Sequence, residues 1–81
     1  MLLVKSTHAQ EITVLDRLTQ QSIPGAKVYS KSPKVQKIAD VNGRFRLEYF
    51  KGCDTIYIAY TNYHTELFLY SDLVSKVWVE L

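Results

Sequence analysis

A single cysteine, Cys53, stands among 81 residues, so the chain can form no internal disulfide and has no pair of thiolates to hold a metal. Histidine is almost as scarce. His8 and His64 are the only two, and with Cys53 and a carboxylate they show none of the ligand spacings that zinc sites use. As a general base, His64 would need a nucleophile and an orienting carboxylate, and no motif nominates either. No stretch approaches the roughly 20 apolar residues of a membrane helix, so this segment is not expected to insert into a bilayer. Ten basic residues against eight acidic ones leave a net charge of +2, far from the concentrated positive field of a nucleic-acid binder. These absences argue against an enzyme, a metal site, a cofactor and a nucleic-acid partner.

What is present is an ordinary globular balance of 47% hydrophobic and 22% charged residues, enough for one folded domain and too short for two. The dominant period is two, interrupted by turn signals about every ten residues, the pattern of an all-β sandwich or barrel. Seven strands are predicted, over residues 11–16, 26–30, 34–39, 44–49, 55–60, 63–70 and 76–81. The predicted core holds Ile12, Val14, Ala26, Val28, Phe45, Leu47, Tyr49, Ile56, Ile58, Tyr60, Leu67, Leu69, Val77, Val79 and Leu81. In the third strand Ile38 is the better core candidate and Val35 the weaker one. Lys34, Lys37 and the neighbouring Pro33 mark that strand as an edge.

Turn chemistry separates the strands. Pro24 and Gly25 bend the chain into the second, Asp40-Val41-Asn42-Gly43 predicts a hairpin turn between the third and fourth, and residues 71–75 are expected to be a loop. The one competing helical signal lies in residues 12–21, where Leu15 and Leu18 have helical spacing. Residues 1–10, with small Thr7 and Ala9 near their end, are expected to be a flexible leader or signal-peptide remnant, although Leu2 to Val4 is short for its apolar region. The domain is then 11–81.

Four segments in order resemble the carboxypeptidase regulatory-like domains: Ile23-Pro24-Gly25-Ala26-Lys27-Val28, residues 39–47 (ADVNGRFRL), residues 54–63 (DTIYIAYTNY), and Val77-Trp78-Val79-Glu80-Leu81. The resemblance implies a seven-stranded Greek-key sandwich of transthyretin or prealbumin type. Two positions depart from the family: Asn62 stands where glycine is usual, and no glycine occurs near Leu15. With Ala9-Gln10 just upstream, the resemblance further implies the N-terminal extension of a TonB-dependent outer-membrane nutrient transporter. Such an extension is a non-catalytic periplasmic accessory domain whose partner is the rest of its parent or another envelope protein. The alternative it implies is a carbohydrate- or peptide-binding accessory module of a secreted peptidase or surface adhesin.

Other candidate sites have plain readings. Cys53 follows Gly52 in a turn and has only Lys51 to depress its thiol pKa, so a loop or half-buried cysteine is expected. Residues 40–43 lack the further oxygen ligands of a calcium loop. Lys27, Lys31, Lys34 and Lys37 have only Tyr29 near them in sequence, which favours edge protection over a stacking nucleic-acid surface. The set Tyr57, Phe68, Tyr70 and Trp78 alternates away from the predicted core. Either other segments cover it, or a strand faces the other way, or it forms one outward patch for docking a partner.

Overall fold

The computed structural model describes residues 10–81; the expected leader otherwise lies outside the described residues, His8 with it. Gln10, assigned above to the leader, is tied to the domain. Its carbonyl accepts the Leu47 N–H at 2.9 Å, and its side-chain amide donates to the Leu73 and Lys76 carbonyls.

The strands are β1 (Glu11–Leu15), β2 (Lys27–Lys31), β3 (Lys34–Ile38), β4 (Arg44–Arg46), β5 (Thr55–Ala59), β6 (Glu66–Leu69) and β7 (Trp78–Glu80). They form a three-stranded sheet ordered β4-β1-β7 and a four-stranded sheet ordered β3-β2-β5-β6, with almost no helix. All pairs are antiparallel except β1 with β7, which run parallel. Strand alternation sends Ile12 and Val14 of β1, Phe45 of β4 and Val79 of β7 toward Val28 of β2 and Ile56 and Ile58 of β5. The result is an all-β sandwich with one core. Phe45 meets Phe50 edge to face, ring centroids 6.1 Å apart, the arrangement that aromatic quadrupoles favour.

Several expectations are corrected, each for a local reason. Residues directly opposite each other in a ladder share a face, and β6 pairs with β5 so that Phe68 faces Ile56 and Leu67 faces Tyr57. Phe68 therefore packs against the core, while Leu67 is 54% exposed and Leu69 is exposed beside it. In β3, Val35 lies opposite Ser30 and packs against the core, whereas Ile38 lies opposite Lys27 and is exposed. The fourth strand stops at Arg46. A 3₁₀ turn over Leu47–Phe50 replaces its second half and buries both Leu47 and Phe50, which eclipse at i and i+3, while Tyr49 turns outward.

The same device recurs in α1 (Tyr70–Leu73), a single turn that takes the last residue of the sixth expected strand and the first three of the expected loop: Leu73 is fully buried and Tyr70 packs against the core. Val77, expected inside, sits at a bend just before β7 and is 62% exposed. Tyr60 lies past the end of β5 and is exposed too. The turn at 40–43 is no hairpin, because β3 pairs with β2 and β4 with β1; it carries the chain from one sheet to the other. Asp40 Oδ1 accepts the N–H groups of Asn42 and Arg44 there, at 2.8 and 3.0 Å. Those bonds favour the ionised carboxyl, which is held below its ordinary 3.8, the Arg44 N–H contributing most. Leu15 and Leu18 begin no helix; Leu18 is fully outside, in a turn.

Candidate functional site

The four aromatic residues expected to form one patch are divided by the sandwich. Tyr57 points out of the four-stranded sheet, half-buried. Phe68 and Tyr70 are half-buried on the inner side, against the core. Trp78, 51% exposed, belongs to β7 of the three-stranded sheet. The structure does bring Phe68 and Trp78 to a common shallow recess, shared with Lys76, Val79 and Glu80, where the open edges of β6 and β7 approach each other. Near it the chain exposes Val74 and Val77 with Trp78, three apolar side chains within five residues. Exposed apolar side chains this close together in the chain are a feature that protein interfaces cover.

Tyr57 has a partner that sequence spacing did not supply. The ladder places Tyr29 directly opposite it, and the two rings stack with centroids 5.1 Å apart and planes 14° from parallel. Lys27 Nζ lies 5.4 Å from the Tyr29 ring centre and Lys31 Nζ 4.6 Å from that of Tyr57, within the range of cation–π attraction. Only knowledge of which strands pair could have found this, since 28 positions separate the two tyrosines.

A second group, missed in the sequence, lies where β1 leaves its sheet. Asp16 Oδ1 accepts the N–H groups of Leu18 and Thr19 at 2.7 and 2.8 Å, and its Oδ2 accepts the Tyr63 hydroxyl at 2.6 Å. The Asp16-Arg17-Leu18-Thr19 order is that of an Asx turn and was the available signal. Led by the Tyr63 hydroxyl, these bonds hold the Asp16 carboxyl below its ordinary 3.8, and Asp16 in turn raises the Tyr63 phenol above 10.0. Arg17 pairs with Glu66 at 3.5 Å across the same open recess, which Tyr60, Asn62 and His64 also line. Asp16 is thus a fixed anion and Tyr63 a fixed neutral donor. Neither is poised to exchange a proton near neutral pH, so the group suits polar contact with a bound molecule better than acid–base chemistry.

Cys53, expected in a loop or half-buried, is buried, with its sulfur 4.0 Å from the Pro33 carbonyl. His64 is exposed, and among the described residues no three histidine, cysteine or acidic side chains gather as a metal site would require. Compared with protein-family models, curated proteins and solved structures, the chain finds no match.

Proposed function

We propose that this chain is a non-catalytic interaction domain, a seven-stranded Greek-key sandwich of transthyretin type, serving as the periplasmic N-terminal extension of a TonB-dependent outer-membrane nutrient transporter. The observation that carries the interaction role is the exposure of Trp78, Val77 and Val74 beside the open edges of β6 and β7. Unpaired strand edges and uncovered apolar side chains are both surfaces that a partner completes. The transporter assignment rests on the ordered motifs of residues 23–28, 39–47, 54–63 and 77–81.

The test has two parts. A reading frame that continues past Leu81 into plug and barrel sequence is the expected finding, and one without them removes the transporter. Trp78→Ser with Val77→Ser should leave folding intact and weaken association with the remainder of the parent protein; unchanged association removes the docking role of this surface. A second reading, a carbohydrate- or peptide-binding accessory module of a secreted peptidase or adhesin, is favoured by the recess that Asp16, Arg17, Tyr60 and Tyr63 line. Aromatic rings beside fixed polar groups are what such ligands use.

A further inference from the structure

We propose that the outer face of the four-stranded sheet docks an acidic, amphipathic segment of a protein partner. This rests on the interaction-domain reading and not on which parent carries the domain. The ladders put Gln36, Tyr29, Tyr57 and Leu67 in one row across the sheet. A second row is Lys34, Lys31 and Leu69, the last reached through Thr55 of β5 on the same face. The lysines therefore lie on the β2–β3 side with Ile38 at its margin, the leucines lie on the β6 side, and the tyrosine pair lies between.

The charge calls for a complement. Of the four lysines in residues 26–38, Lys27, Lys31 and Lys34 lie on this face, while Lys37 is opposite Val28 and faces the other way, and the stretch holds no acidic residue. Lys31 and Lys34 are directly opposed across the ladder, an arrangement of like charges that costs stability. The ion pairs among the described residues are made by arginines, leaving the lysines of this face without one. Edge protection accounts for Lys34 and Lys37, which lie on the edge strand β3. It does not account for Lys27 and Lys31, because β2 is an interior strand, hydrogen-bonded on both sides.

The aromatic geometry narrows the class of anion. Each tyrosine ring already has the other ring and an ammonium group against it, so little ring face is open for a nucleobase or a sugar to stack on. Exposed Leu67, Leu69 and Ile38 flank the pair and fit aliphatic or aromatic side chains. Carboxylates over the lysines with apolar side chains over the leucines describe an acidic amphipathic protein segment.

The probe is a short blocked peptide alternating glutamate with leucine, titrated into the isotope-labelled chain and followed by backbone amide shifts. Saturable shifts centred on residues 27–34, 57, 67 and 69 are expected, with affinity that falls as salt rises. Lys31→Glu with Lys34→Glu should weaken binding on the order of tenfold or more. Leu67→Ser with Leu69→Ser should weaken it while leaving the salt dependence unchanged. The amide spectrum of each variant reports its folding, and Lys31→Gln with Lys34→Gln replaces the charge reversal if that variant unfolds.

Absence of saturable shifts, shifts centred elsewhere, or equal binding of the corresponding lysine–leucine peptide overturns the proposal. Tighter binding of a single-stranded oligonucleotide overturns it in favour of a nucleic acid. If the peptide fails while Trp78→Ser with Val77→Ser still weakens association with the parent, this inference falls and the interaction-domain reading stands. If the peptide binds and that association is unaffected, the surface at β6 and β7 loses its docking role and the lysine-flanked face keeps its own.

Discussion

At the scale of single residues, Phe45 and Asp16 illustrate two kinds of contribution. Phe45 is buried between the sheets and meets Phe50 edge to face, so Phe45→Ala should cost about 3–5 kcal/mol of unfolding free energy by denaturant titration. Asp16 contributes through its charge. Its carboxyl is held below 3.8 by the Tyr63 hydroxyl and two backbone N–H groups, so its stabilisation is present above the ordinary value and is lost as pH falls through the depressed one. Tyr63 has the opposite sign: its neutral form is favoured, and that contribution disappears as pH rises through the phenol's raised value, above 10.0. Tyr63→Phe deletes the leading cause. The Asp16 carboxyl, followed by NMR titration, should then titrate closer to 3.8, and the share of acid sensitivity arising from Asp16 should shrink.

At the scale of elements, the two turns at Gly43 and Gly52 have like backbones and unlike surroundings. Both have φ in the left-handed region, at +75° and +93°. A Cβ on Gly43 would meet the Ser22 Cβ at 2.8 Å and the Ile23 nitrogen at 3.0 Å, whereas nothing lies within 4 Å of one on Gly52. Gly52→Ala should therefore show the backbone penalty alone, roughly 1–2 kcal/mol. Gly43→Ala should show that penalty plus displacement of the 22–23 backbone, a larger loss by the same denaturant titration. Equal losses would mean that the crossover turn adapts freely.

Elements also explain what could be read from the sequence. Strand interiors of β1, β2 and β5 were legible, because Ile12, Val14, Val28, Ile56 and Ile58 alternate cleanly and β2 and β5 are interior to their sheet. The face of β6 was not, because Leu67 and Leu69 are as apolar as Phe68 and only the register with β5 decides which enters the core. Phe50 and Leu73 were missed because each enters the core from a single helical turn, too short to show a helical period. At the candidate site, Tyr57 was legible as an outward aromatic, but its stacking on Tyr29 depends on long-range pairing.

At the scale of the whole molecule, the parallel pairing of β1 with β7 has a mechanical consequence. Because the two strands run the same way, Glu11 and Leu81 lie toward opposite ends of one ladder. Tension applied at those two residues would slide β1 along β7 instead of peeling them apart. The bonds Thr13 N–H to Val77 carbonyl, Leu81 N–H to Leu15 carbonyl and Arg17 N–H to Leu81 carbonyl would then bear load together, not one after another. In single-molecule pulling, attachment at Glu11 and Leu81 should require a higher unfolding force than attachment at Lys27 and Ile38, which opens the β2–β3 ladder from one end. A domain loaded in this way resists extension as a clamp does, transmitting pull between its neighbours before it yields.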